Sequence, residues 1–233
     1  MINEFCDDLE NDIIILGIDE AGRGPLFGRV YTSCVILPSS ESNFDLSLIK
    51  DSKKFSSKKK LNQVAEYIKD NCLYYSIDYE DENTIDKINI LQATIKSMKK
   101  SITNVINKIL ENNKNINVET ILNNILCRID GNYFKPFHYI YNDEIYIINY
   151  ETLKKGDQLS KSIGAASILA KDSRDNYIKS LCEEIPYLDE YYSLSTNMGY
   201  GTQKHMDGID KYGITKYHRK TFCKNKKLII ENN

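Results

Sequence analysis

The chain has 233 residues, of which 41% are hydrophobic and 27% charged, and its formal net charge is −2. That composition can bury one core, which excludes a disordered chain, and the length leaves little room for two full domains. The charge argues only mildly against a nucleic-acid binder, because a local basic stripe can coexist with an acidic site.

Residues 1–11 carry four acids and no base, so they do not read as a secretory signal. No run approaches the ~18 apolar residues of a membrane span. None of the cysteines (Cys6, Cys34, Cys72, Cys127, Cys182, Cys223) forms a CxxC pair, and their spacing fits no zinc site. Reduced thiols in a cytoplasmic protein are expected.

Residues 13–18 are a short β-branched run ending at Asp19 and read as a buried strand. Residues 29–37 read as a second strand, stopped by Pro38-Ser39-Ser40. The Gly-rich turn 22–28 between them allows a wide hairpin. Residues 56–71 carry Leu61, Val64, Ala65 and Ile68 at helical spacing, with Ser56 or Ser57 as cap. Residues 73–77 make a third strand. Residues 81–109 are long, polar and helix-like, with Ile85, Ile88, Leu91, Ile95 and Met98 on one face. A loop at 111–117 follows. The 125–129 half of the segment 121–129 makes a strand ending at Asp130, and 144–150 a further one. Residues 162–182 form a strong helix carrying Gly164-Ala165-Ala166-Ser167, and 201–212 another, closed by Gly213. Strands alternating with helices point to α/β or mixed α+β, a sheet flanked by helices.

Four clusters carry chemistry. In Asp19-Glu20-Ala21-Gly22-Arg23-Gly24-Pro25, two carboxylates stand where an apolar strand ends. Neighbouring carboxylates repel, and a divalent cation relieves that repulsion. Gly22 and Gly24 allow close backbone approach to a ligand. An ordinary turn with a surface acidic pair explains the same residues. Ile129-Asp130-Gly131-Asn132 again puts an acid at the end of an apolar run, although a DG turn is often only a turn. Lys154-Lys155-Gly156-Asp157 puts an acid just before a helix, where the dipole favours one regardless of function. Asn197-Met198-Gly199-Tyr200-Gly201-Thr202 places a tyrosine between glycines, exposed enough to stack on a ligand.

No single cluster decides. Taken in order, the chain resembles type 2 ribonuclease H, and within it the bacterial ribonuclease HII family. The matching segments are Gly17 to Leu26, Asp51-Ser52-Lys53-Lys54, Ile129 to Asn132, Lys155-Gly156-Asp157, Ala165 to Lys171, Arg174-Asp175, Gly199 to Thr202 and His218-Arg219-Lys220-Thr221-Phe222. They span roughly 13–223, and DEAGRGP is the most specific of them.

The resemblance implies a ribonuclease H-like α/β fold: a five-stranded mixed sheet flanked by helices, in one catalytic domain over 1–233 with a C-terminal helical extension from about 183. Asp19, Glu20, Asp130 and Asp157 match the family's metal-binding acids, implying a two-metal site for Mg²⁺ or Mn²⁺. Gly22, Arg23, Gly24 and Tyr200 match the residues that read the 2′-hydroxyl, the group that distinguishes RNA from DNA at one sugar. The implied reaction cuts RNA in RNA/DNA hybrids and incises 5′ of ribonucleotides embedded in duplex DNA, leaving 3′-OH and 5′-phosphate. Such an enzyme serves DNA repair and replication as a monomer. Ser52 and Lys53 match the substrate-contacting segment, and Lys171 and Arg174 are candidate phosphate contacts, as are the basic residues of 216–227. Lys58, Lys59 and Lys60 read better as a solvated helix start. Residues 226–233 show no clear sliding-clamp motif.

The chain departs from the family at a few points. Asp172 and Ser173 stand where an apolar residue and Thr are usual, and Asp172 is expected to face solvent. Gly164 replaces a commoner Ala, which should loosen its helix by up to ~1 kcal/mol. His138, His205 and His218 are read as structural. Two other classes compete: a non-catalytic hybrid-binding module, which would have no use for four acids, and a resolvase- or transposase-like nuclease, which would have no use for the sugar-reading set.

Overall fold

The computed structural model describes residues 13–39, 42–50, 52, 55 and 57–223. Asp51, Lys53, Lys54 and Ser56, together with Cys6, Lys224, Lys226 and Lys227, lie outside the described residues.

Strand β1 (Ile14–Ala21) is the β-branched run and is buried almost throughout. Strand β2 (Val30–Ile36) returns antiparallel beside it, with Asp19 opposite Ser33. Helix α1 (Lys58–Asn71) is capped by Ser57, whose hydroxyl accepts from the Lys60 amide. Strand β3 (Tyr74–Glu80) pairs antiparallel with β2. Residues 81–109 form two helices rather than one, α2 (Glu82–Ile88) and α3 (Ile90–Asn112). The break is at Asn89, which takes φ 65° and caps α3 by accepting from the Gln92 amide. Asparagine tolerates that left-handed backbone because its short side chain bonds locally.

Helix α4 (Val118–Asn123) leads into β4 (Ile125–Asp130), which runs parallel to β1. A hairpin follows, β5 (Phe137–Tyr141) and β6 (Glu144–Leu153). Then come α5 (Gly156–Leu159), α6 (Lys161–Glu184), α7 (Tyr187–Tyr192), α8 (Leu194–Asn197) and α9 (Gln203–Tyr212).

The sheet among the described residues has six strands, not five, in the order β3-β2-β1-β4-β6-β5. The additional strand is the edge strand β5. Its signal was the alternation Phe137, Tyr139 inward and His138, Ile140 outward, followed by Asn142-Asp143. Both turn residues have positive φ (49° and 65°), the backbone of a tight two-residue hairpin.

Helix α3 covers one sheet face, laying Ile95, Met98, Ile102, Val105, Ile106 and Ile109 on Leu16, Ile18, Cys127 and Ile129. Each such side chain contributes about 1.5–3 kcal/mol of burial. On the other face, α6 and α1 pack Ala165, Ala166, Ile168, Leu169, Leu61 and Ala65 over Val35 and Leu37. Helix α6 meets β1 at Gly17, where an added Cβ would lie 2.1 Å from the Ser162 carbonyl carbon. Gly164 serves the same close fit, since a Cβ there would meet Ile49 Cγ2 at 2.8 Å and the Asp157 carbonyl oxygen at 3.1 Å. Close packing there gives the glycine a structural reason. Helices α7–α9 close a further core that shares Phe27, Ile178 and Leu181 with the rest of the molecule.

Candidate active site

The topology gathers three distant segments at one end of the sheet. Strands β1 and β4 are parallel neighbours with Ile18 opposite Ile129, so Asp19 and Asp130 are the next residues at the same end of adjacent strands. Strand β6 is parallel to β4 and puts Leu153 beside Asp130, and the chain then turns into α5, which carries Asp157. Ligands of α/β folds bind at this end of parallel strands. An open cleft of about 530 Å³ lies here, and all four acids, Asp19, Glu20, Asp130 and Asp157, line it.

The backbone holds the acids individually. Asp130 Oδ1 accepts from the Gly156 amide at 2.6 Å. Asp19 Oδ1 accepts from the Glu20 amide at 2.7 Å. Glu20 Oε1 meets Arg23 Nη1 at 3.2 Å. Burial, then the charges of Glu20 and Asp130, push the Asp19 carboxyl well above the usual carboxylate range; the Ser167 hydroxyl partly offsets this. Among the described residues, no three His, Cys, Asp or Glu side chains converge closely enough to hold a metal ion as they stand. The acids share a cleft, therefore, without forming a closed cage.

The rim is the Gly-Arg-Gly turn. Gly22 takes φ +95°, which favours glycine. Gly24 faces Tyr200: a Cβ at Gly24 would lie 3.5 Å from Tyr200 Cε1. Tyr200 is 48% exposed. Ser52 reaches the cleft through Ser167, the two hydroxyls being 3.1 Å apart.

The cations divide. Lys171 lines the cleft and pairs with both Asp175 oxygens, at 2.5 and 2.6 Å. Arg174 also lines the cleft but is only 1% exposed; it lies beneath the turn, where its Nη2 donates to the Phe27 carbonyl at 3.1 Å. Burial lowers its guanidinium pKa, and its Nε has no hydrogen-bond partner. Lys58 is tied to the Ser195 carbonyl at 3.2 Å. Lys155 and Gln158 also line the cleft, though no motif in the sequence gives either a role. Lys155 takes left-handed φ 58° in the turn that delivers Asp157.

Asp172 does not face solvent. It is 3% exposed, near Asn62 Nδ2 at 3.5 Å and accepting from Asn176 Nδ2 at 3.1 Å. Helix α1 covers it, and that packing could not be read from the helix alone. His205 and His218 are fully buried and bonded to one another. His138 lies on the outer side of β5.

The ribonuclease HII family model matches residues 16–225. The ribonuclease HII of Pelagibacter ubique is 39% identical over 211 residues, 90% of this chain and 95% of that protein. That of Rickettsia akari is 38% identical over 212 residues, 91% of this chain and 92% of that protein. Among solved structures, the RNase HII of a PCNA:RNase HII complex from Archaeoglobus fulgidus aligns with TM-score 0.61 at 19% identity, covering 88% of this chain and 93% of its own. The ribonuclease H2 of Pyrococcus horikoshii aligns with TM-score 0.61 at 19% identity, covering 89% and 92%. Bst RNase HIII in complex with Mn²⁺ gives 0.55 at 16% identity, covering 84% and 69%. At these identities the structural likeness is one of fold, the ribonuclease H-like fold.

Proposed function

The chain belongs to the ribonuclease HII family, and from that premise we propose that it cuts RNA in RNA/DNA hybrids and incises 5′ of single ribonucleotides in duplex DNA. It is a metal-dependent nuclease of the hydrolase class and an RNA-degrading endonuclease. The observation that carries the finer reading is that one cleft holds both the acids and the facing pair Gly24 and Tyr200.

The donor set suits Mg²⁺ or Mn²⁺: every acid offers hard oxygen, and Asp19 is buried among like charges that a cation relieves. Asp19, Glu20, Asp130 and Asp157 would hold the ions. Mg²⁺ commonly takes one or two carboxylates, several waters and the substrate's own phosphate, so an unconverged cluster is compatible with it. Bound there, two such ions would supply an activated water and stabilisation of the leaving 3′ oxygen.

The chain's own residues do the rest. The Gly156 amide keeps one oxygen of Asp130, a residue of the cleft wall, fixed. The backbone at Gly22 and Gly24 can approach the sugar edge because neither residue carries a side chain, while the Arg23 side chain is engaged with Glu20. Tyr200 stacks under the next sugar and presents its hydroxyl. Ser52 stands beside them, and Lys171 can exchange Asp175 for a phosphate. Arg23 spans the rim between Glu20 and solvent. The biological role is removal of ribonucleotides from DNA by a cytoplasmic monomer. Among the described residues no helix is long and apolar enough to cross a membrane. The reading needs no sliding clamp; the PCNA association is a property of the Archaeoglobus fulgidus protein.

The test is cleavage of a labelled DNA duplex holding one ribonucleotide, with Mg²⁺, Mn²⁺ or EDTA. Asp130→Asn is the control, because Asn keeps an oxygen for the Gly156 amide and removes only the charge. A single cut 5′ of the ribonucleotide, lost with EDTA and in the variant by about a hundredfold or more, is expected. Cleavage of continuous RNA alone would refute the sugar-reading assignment. Binding with no cleavage would favour a non-catalytic module.

A further inference from the structure

The side chain that grips the rim most extensively is outside the cleft. Arg219 is 0% exposed, and its guanidinium donates to five backbone carbonyls. Nη2 reaches Gly22 at 2.6 Å and Arg29 at 3.2 Å. Nη1 reaches Arg23 at 3.0 Å and Pro25 at 2.8 Å, and Nε reaches Gly28 at 2.8 Å. These carbonyls belong to both legs of the turn between β1 and β2. A guanidinium has five N–H donors in a rigid fork, so this turn uses all of its capacity. The main chain adds to the grip: the Arg219 amide donates to Leu26 at 2.8 Å, and the Gly28 amide to Tyr217 at 2.9 Å.

The residue before it holds the other side of the cleft. The Thr215 amide donates to His218 Nδ1 at 2.9 Å, which puts the His218 proton on Nε2. That proton goes to His205 Nε2, 3.1 Å away. The His205 proton then sits on Nδ1 and is donated to the Tyr200 carbonyl at 2.9 Å. Burial keeps both rings neutral, as this chain of donors requires. His218 and Arg219 thus hold, respectively, the backbone of Tyr200 and the backbone of Gly22 and Arg23. Those two elements face one another at the Gly24–Tyr200 approach.

We propose that His218–Arg219 is a positioning strap, acting with His205, that fixes the gap between the Gly22–Gly24 backbone and the Tyr200 ring and so sets discrimination between an isolated ribonucleotide and continuous RNA. The proposal rests on the reading of Tyr200 and the glycine turn as the sugar-reading pair. The strap touches no substrate. A merely structural role would lower activity on every substrate alike, whereas a positioning role changes their ratio. In continuous RNA the sugar that follows the ribonucleotide at the cut is not a deoxyribose, so the stacking position of Tyr200 matters less.

The experiment compares kcat/KM on a DNA duplex holding one ribonucleotide with kcat/KM on a continuous RNA/DNA hybrid, using the full chain. His205→Phe keeps a ring among Phe27, Tyr192 and His218 and removes the donor to Tyr200. It is expected to lower the ratio about tenfold, with the hybrid rate changed less than about threefold. His205→Asn, whose amide can replace the Nδ1 donor, is expected to restore the ratio to within about threefold of the parent. Arg219→Lys should lower the ratio in the same sense, since three donors cannot serve five carbonyls; if it does not fold, the His205 pair decides alone. Equal losses on both substrates in His205→Phe would overturn the proposal. Tyr200→Ala separates the two layers. If it leaves the ratio unmoved, the sugar-reading assignment has failed. If it moves the ratio and His205→Phe does not, the strap has failed while the assignment stands.

Discussion

Gly17→Ala tests whether the site depends on direct backbone contact between β1 and α6. A Cβ at residue 17 would lie 2.1 Å from the Ser162 carbonyl carbon and 2.4 Å from both the Ser162 oxygen and the Ile163 nitrogen. Ordinary contact begins at 3.4 Å, so the helix must retreat by about 1.3 Å. Both partners are backbone, and no rotamer can absorb the clash. Overpacking of this kind costs about 3 kcal/mol, the upper end of the usual range. In a chain of this size each kcal/mol is worth about 2–4 °C, which gives a Tm fall of roughly 6–12 °C. Activity should fall further than stability. Ser167 of α6 hydrogen-bonds Asp19, and Asp157 precedes the same helix, so a shift of ~1 Å displaces parts of the cleft and can lower the rate about a hundredfold. Thermal melting and single-ribonucleotide cleavage at 25 °C read the two effects. Gly24→Ala is the control for melting only, since its Cβ would meet Tyr200 at an ordinary 3.5 Å. A Gly17→Ala protein melting within about 1 °C of the parent would refute the claimed contact.

Gly24→Ala should melt like the parent yet lose cleavage of the single-ribonucleotide duplex by about tenfold or more, because a methyl group then occupies the sugar's approach; steady-state kinetics on that duplex would show it. Asp19→Asn should melt above the parent in EDTA while losing activity. The Asp19 carboxyl is raised on folding, so the folded chain binds more protons than the unfolded one and stability falls as pH rises through that range; removing the charge removes the penalty. Adding Mg²⁺ to the parent should raise Tm, by the equivalent of about 2.7 kcal/mol at a hundredfold excess over Kd. The buried histidines act in the opposite direction. His218 is lowered from 6.5 to about 3, so the unfolded chain takes up protons that the folded one refuses. Stability is complete above pH 6.5 and declines toward pH 3, by up to about 1.4 kcal/mol per unit per ring. The urea midpoint of His205→Phe should therefore fall less between pH 7.5 and 5 than that of the parent.

Local patterns made most of the fold legible. Apolar runs ending at Asp19 and Asp130 located β1 and β4, and the helical stripe Leu61, Ala65, Ile68 located α1. What was missed depended on backbone conformation or on distant partners. The helix break at Asn89 rests on one left-handed residue inside an otherwise helical pattern. Strand β5 is a short edge strand whose outer side, with Ile140, is exposed, so its alternation is weak evidence by itself. Asp172 looked solvent-facing on its own helix, and only the packing of α1 buries it. Arg219 lay in a basic stretch expected at phosphate and is instead fully buried, bonded to the carbonyls of the glycine turn.

The burial of Arg219 and Arg174 has one physical cause. A nuclease that must bring backbone close to a sugar needs a turn with no side chains on its inner edge, and such a turn leaves many carbonyls without partners. Buried carbonyls must be satisfied. Here two arginines do that from below, Arg219 with five bonds and Arg174 with one. Sequence alone assigns an arginine near an active site to phosphate, because it shows the charge and not the direction. Gly22, proposed to face the sugar from above, is what opens the turn to arginine from below: a Cβ there would lie 2.2 Å from Arg174 Nε. On the proposed reading, Gly22 serves recognition on one side of the turn and support on the other, so the two functions cannot be mutated independently at that glycine. They can be separated at the strap, whose residues support the turn without facing the substrate.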